Sequence, residues 1–192
     1  MIISRTALLA LLLPAALLAQ QPAAAPSANP ITDVFRNRTM TLQRILAQAF
    51  DSIPESKFGY KPTPAQLSIG GVAQHLANDN YFFCDGFGDM KATRPTKDTA
   101  TPDSIKARWP KDTLVAQLKQ SFTFCENAFR QLDDKKLADQ ITVTLGGQAR
   151  QTARAQMVLL HATDMTDHYS QIAIYMRLNG MLPPTALPRP RP

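Results

Sequence analysis

Three histidines are the whole imidazole inventory of this 192-residue chain, and each lies in a stretch whose apolar residues recur at helical spacing. His75 comes three residues after Val72 and adjoins Leu76. His161 and His168 stand seven apart, two helical turns, so they fall on one face of a single helix. Asp164 lies between them, three after His161 and four before His168. His161, Asp164 and His168 therefore offer three donors along one side of one helix, and His75 offers another from a second helix. Imidazole nitrogen and carboxylate oxygen suit a divalent transition metal such as Zn, Ni, Mn or Fe. Two or three donors from one helix and one from a facing helix build a site with room for water or substrate. Asp79, one turn after His75, can orient that ring or join the set, whereas Asp167 points elsewhere. A histidine on an apolar face also reads as a hydrogen-bonded core residue. No nucleophile-base-oxyanion set is recognisable in the chain.

Four helices must position these groups. The first starts near Ile31, continues through Val34, Phe35, Leu42, Ile45, Leu46 and Ala49, and ends before Pro54. Pro54, Gly59, Pro62 and Pro64 keep residues 52–67 irregular. Ser68 is a natural N-cap for the second helix, with Ile69, Val72, Leu76 and Phe83 facing inward and Gly86 and Gly88 marking its end. Residues 91–110 are polar and punctuated by proline, a long loop with one short turn, in which Trp109 plugs a core edge. The third helix begins at Asp112 or Thr113 and carries Leu114, Leu118, Phe122, Cys125, Phe129 and Leu132. Residues 141–145 alternate apolar and polar before Gly146-Gly147, a short hairpin closed by residues 148–151. Thr152 caps the fourth helix, whose stripe is Met157, Leu160, Met165, Ile172 and Met176, and Asn179-Gly180 stops it. The expected fold is all-α: an antiparallel four-helix bundle with long connections and a short β-hairpin before the last helix.

The ends read differently. Arg5 precedes an apolar run from Thr6 to Leu18, and Leu17-Leu18-Ala19 offers a cleavage site before Gln20. The run is about half to two-thirds of the roughly 20 residues that a spanning helix needs, so residues 1–19 read as an export signal rather than a stable anchor. Residues 20–29 then form a flexible leader, 30–184 the folded domain and 185–192 a proline-rich disordered tail. The expected location is periplasmic or extracellular. A net charge of +6 does not make a nucleic-acid binder here, because Arg5 leaves with the signal, Arg189 and Arg191 sit in the tail, and the other cations are scattered among acids. Cys84 and Cys125 admit two readings, a bridge between their helices or two buried thiols, since the sequence does not fix the distance between them.

The run Ile69-Gly70-Gly71-Val72-Ala73-Gln74-His75-Leu76-Ala77-Asn78-Asp79-Asn80-Tyr81-Phe82-Phe83-Cys84, with Asp167-His168-Tyr169-Ser170-Gln171 and the ending Tyr175-Met176-Arg177-Leu178-Asn179-Gly180-Met181-Leu182-Pro183-Pro184, resembles the DinB superfamily. The likeness spans roughly Ile31 to Pro184. It implies an antiparallel four-helix bundle holding a metal with three histidines, one on helix two and two on helix four spaced by four. His75 matches the first position and His168 the last, while the middle one falls on Asp164, with His161 one turn away. The resemblance implies metal-dependent chemistry on a small molecule: thiol-dependent transfer, isomerisation or hydrolysis. It also implies pairing of two copies as a homodimer. The expected function is that of an exported metal-dependent hydrolase or transferase, and the alternative is a non-catalytic interaction bundle whose site is degenerate and metal-free.

Overall fold

In the computed structural model, which describes residues 26–188, the four expected helices are α1 (Pro30–Ser52), α2 (Ile69–Phe87), α5 (Lys111–Arg130) and α6 (Arg154–Leu178). The expected export signal, most of the leader and the last four tail residues lie outside the described residues. Among those described, no helix is long and apolar enough to cross a membrane.

Pro30 sits at the first position of α1, where its missing N–H costs nothing. The next two amides donate to one carboxylate, Ile31 N and Thr32 N to Asp134 Oδ2 and Oδ1 at 3.1 and 2.7 Å. This clamp turns Thr32 inward. The buried stripe therefore runs through Thr32, Thr39, Leu42, Leu46 and Ala49, and the expected stripe residues Ile31 and Val34 are exposed.

The start of α2 is tied down three times. Gly71 N donates to Ser68 Oγ at 3.0 Å, while Ile69 N and Gly70 N donate to the carbonyls of Tyr60 and Phe58. Three of the orphan amides of a helix N-terminus are thereby satisfied. Gly70 is required here, because a Cβ would sit 2.5 Å from the Ala107 carbonyl.

Residues 91–110, expected to be a loop with one turn, contain two short helices, α3 (Thr96–Ala100) and α4 (Asp103–Lys106), each entered through a proline. Lys106 is buried and bridges Asp98 and Asp103 at 3.4 and 3.1 Å, and Arg94 reaches Asp98 at 2.6 Å. Trp109 packs against the main core as expected. The strands β1 (Gln140–Leu145) and β2 (Gln148–Ala153) pair antiparallel. Gly146 and Gly147, at φ 59° and 78°, supply the two left-handed residues of their turn. The chain passes from β2 straight into α6, so Thr152 is a strand residue and not the expected cap. Arg154 N instead donates to the Asp139 carbonyl at 2.8 Å.

Side-chain contacts fix the directions. Arg36 and Gln43 of α1 reach the carbonyls of Phe129 and Phe122 on α5, so these neighbours are antiparallel. Asn80 meets Ser121, and Cys84 is joined to Cys125, so α2 and α5 run parallel, which the long connection between them permits. Helix α6 opposes α2: His75 meets His168, and Cys84 meets His161. The core has a large half built from all four helices and a smaller half around the disulfide, where Val143 of the hairpin packs with Phe87, Phe129 and Met157. At the chain's end the Tyr169 hydroxyl accepts from Thr185 N at 3.1 Å, so the expected tail stays bound through its first residue.

The disulfide closes a loop with a sequence separation of 41. Its removal in Cys84→Ala/Cys125→Ala is expected to cost on the order of 2–4 kcal/mol, read from urea denaturation. An unchanged midpoint would refute this.

Candidate metal centre

Helices α2 and α6 each carry a histidine and an aspartate four residues apart, in opposite order: His75 then Asp79, Asp164 then His168. Because the helices are antiparallel, the reversed orders bring imidazole beside imidazole and carboxylate beside carboxylate. The two rings meet edge to face with centroids 4.8 Å apart. One donor atom from each of the four residues lies within 4.8 Å of the others. His75 Nε2 is 3.1 Å from Asp79 Oδ2, and His168 Nε2 is 3.4 Å from Asp164 Oδ1. The His168 and Asp164 side chains are mostly covered, at 12% and 19% exposure, and His75 faces solvent at 40%.

Burial pushes the Asp79 carboxyl up to about 6, against the opposing charge of His75 and with the help of Asp164. For His168, burial opposes the cation, but hydrogen bonds to Asp164 and Gln171 outweigh it and raise its pKa. The residues fit a divalent ion. Asp164 Oδ2 is buried and has no hydrogen-bond partner, a costly state for a carboxylate oxygen that a cation would relieve. Two imidazoles and two carboxylates are also a suitable donor set for a first-row transition metal.

A cleft of about 520 Å³ opens beside His168, walled by Leu67, Gln171, Ile174, Tyr175 and Leu178. A larger cleft of about 660 Å³ between Phe58 and Trp109 contains none of the four donors, so it is set apart from this chemistry.

His161, expected on the same face, is not brought to this cluster. Seven residues return a helix to nearly the same angle but advance it by about 10.5 Å. His161 is fully buried in the smaller core half, with Nε2 at 3.8 and 3.7 Å from the sulfurs of Cys84 and Cys125. Those sulfurs are joined to each other, and a metal ligand must be a thiolate. Burial, with Asp164 only partly opposing it, lowers the His161 pKa to about 4. Its Nε2 lies 2.8 Å from Asn80 Oδ1, while Asn80 Nδ2 donates to Ser121 Oγ and Ser121 donates to the Leu118 carbonyl. The sequence reading missed Asn80, Gln171 and Tyr175. Helical spacing was the available signal for two of them, since Gln171 and Tyr175 follow His168 by three and seven.

Residues 38–172 match the DinB superfamily. The chain belongs to that superfamily. No functionally curated protein matches it. Among solved structures, a DinB-like protein from Bacillus cereus ATCC 10987 is 18% identical with a TM-score of 0.62, over 79% of this chain and 95% of that one. A DinB-like protein from Bacillus subtilis is 14% identical with a TM-score of 0.58, over 77% and 92%. A mycothiol-dependent maleylpyruvate isomerase is 9% identical with a TM-score of 0.56, over 74% of this chain and 59% of that one. At these identities the likeness shows a shared helical-bundle fold.

The buried neutral His161 makes stability depend on pH. Its folded pKa of about 4 lies below the ordinary 6.5, so the unfolded chain binds the extra proton between these values. Stability is then full above about pH 6.5 and falls as pH drops towards 4, by on the order of 3 kcal/mol. Urea denaturation of wild type and His161→Gln between neutral pH and pH ~4.5 checks this. The variant should lack that part of the decline, and parallel profiles would contradict it.

Proposed function

We propose that this chain is an exported metal-dependent enzyme, a hydrolase or transferase, with its divalent ion held by His75, Asp164 and His168. The observation that carries the reading is the convergence of four donors from two antiparallel helices on one point, with one buried carboxylate oxygen left unpartnered. The family membership and the fold shared with a mycothiol-dependent maleylpyruvate isomerase support it. Export is supported by the apolar N-terminal run and by the disulfide, a bond favoured in oxidising compartments.

A bound divalent ion would lower the pKa of a coordinated water or thiol and polarise an electrophile. The chain's own residues divide the remaining work. Asp164 and His168 are the covered donors on α6, and His75 closes the set from α2. Asp79 lies beside His75, and its pKa of about 6 suits a group that accepts a proton near neutral pH. The cleft beside His168 offers Leu67, Ile174 and Leu178 to an apolar portion of the substrate. A homodimer is compatible with this arrangement, in which one chain supplies all four donors.

The test is metal binding by the mature chain without a histidine tag, by calorimetry and elemental mass spectrometry. One Zn or Mn per chain is expected, with His75→Ala and His168→Ala each weakening affinity by more than about 100-fold, beyond what loss of a ligand's outer partner costs. His161→Gln should bind as wild type does. Protons compete for the ligand nitrogen of His168, whose pKa is raised above the ordinary 6.5 by its hydrogen bonds to Asp164 and Gln171, so affinity should fall as pH drops through that range. Added metal should raise Tm in wild type and not in the histidine variants. Affinity indifferent to both histidines would overturn the site and favour a metal-free interaction bundle.

A further inference from the structure

Beyond the four donors, a chain of hydrogen bonds leads away from His168 and ends on the backbone. His168 Nδ1 is 3.0 Å from Gln171 Oε1, Gln171 Nε2 donates to the Tyr175 hydroxyl at 2.9 Å, and that hydroxyl donates to the Leu67 carbonyl at 3.2 Å. A carbonyl can only accept, and this fixes every proton in the chain. Tyr175 gives its single proton to Leu67 and so accepts from the Gln171 amide nitrogen. Gln171 then turns its oxygen to His168, and Nδ1 must carry the proton. A reversed amide would draw the tyrosine proton to Gln171 and leave the Leu67 carbonyl facing a hydroxyl with nothing to give.

The geometry points to Gln171 and Tyr175 as positioning residues that hold His168 in its Nδ1–H form and present the Nε2 lone pair to the metal centre. The inference rests on the proposed metal site for its purpose, though not for its geometry. The anchor belongs to the rest of the fold as well. Leu67 immediately precedes Ser68, the cap of α2, and the Tyr175 ring meets Tyr60 edge to face at 6.0 Å. The chain therefore ties the ligand on α6 to the loop that starts α2.

His161 is the built-in contrast. Its chain also ends on a carbonyl, through Asn80 and Ser121 to Leu118, but it begins at Nε2. The same logic places the proton of His161 on Nε2. Two histidines seven residues apart are thus held in opposite tautomers, and in the neutral ring of His168 the nitrogen left without a proton, Nε2, is the one 3.4 Å from Asp164 Oδ1.

Long-range proton–nitrogen NMR correlation on the metal-free protein, at alkaline pH where both rings are neutral, reads these tautomers directly. His168 should be in the Nδ1–H form and His161 in the Nε2–H form. In Gln171→Leu and Tyr175→Phe, His168 should lose this preference while His161 keeps its own, and Gln171→Glu, which can still accept from Nδ1–H, should retain it. Zn affinity should fall about 10- to 100-fold in Gln171→Leu and stay near wild type in Gln171→Glu. A wild-type His168 in the Nε2–H form, or a tautomer unchanged in Gln171→Leu, would overturn the inference. If wild type shows the expected tautomers and binds no Zn, the hydrogen-bond chain stands and the metal reading falls. If wild type binds Zn and Gln171→Leu binds it equally, the metal reading stands and the positioning role falls.

Discussion

The candidate centre depends on how α2 lies against α6. Each helix alone carries an ordinary histidine–aspartate pair one turn apart, which on a single helix is a local ion pair of small consequence. Opposed, the pairs become a cluster, because their sequence order is reversed and the helices run in opposite directions. A parallel arrangement would set His75 beside Asp164 and Asp79 beside His168. The register follows from contacts at both ends: the rings of His75 and His168 at one end, and the packing of Cys84 against His161 at the other.

The disulfide end supplies the rigidity that such a register needs. Cys84 and Cys125 join the parallel pair α2 and α5, and Val143 brings the hairpin onto the same half of the core. Arg154, at the start of α6, donates to the Phe87 carbonyl at 2.6 Å and to Asp89 at 2.9 Å, which ties the beginning of α6 to the end of α2. The guanidinium also lowers the Asp89 pKa through that hydrogen bond, against the opposing effect of burial. The short hairpin is therefore a structural brace. His161 belongs to this brace and not to the candidate centre: it is neutral, buried and bonded to Asn80.

The sequence carried the helices because their apolar periodicity, the Ser68 cap and the Gly146-Gly147 turn are local signals, each read from a few neighbouring residues. It misplaced what depends on distant partners. Ile31 and Val34 look like core residues until Asp134, far along the chain, turns the first helical turn by holding its amides. The short helices α3 and α4 depend on the buried Lys106, whose partners Asp98 and Asp103 give no periodic signal. Type and spacing singled out His75, Asp164 and His168, which the structure brings together, and the DinB resemblance agrees with the family match. His161 was misjudged because angular spacing says nothing of axial distance, which decides whether two side chains reach one point. The disulfide was open in the sequence because pairing is a matter of distance, and the two Cα atoms lie 5.2 Å apart.

The central claim is that the reversed pairs on α2 and α6 enclose one divalent ion. Crystals grown with Zn and measured on both sides of its absorption edge test it most directly. One anomalous peak per chain is expected between the two helices, at about 2.0–2.2 Å from nitrogens of His75 and His168 and from a carboxylate oxygen of Asp164. Well-ordered side chains with no peak between them, or a peak beside His161 instead, would contradict it.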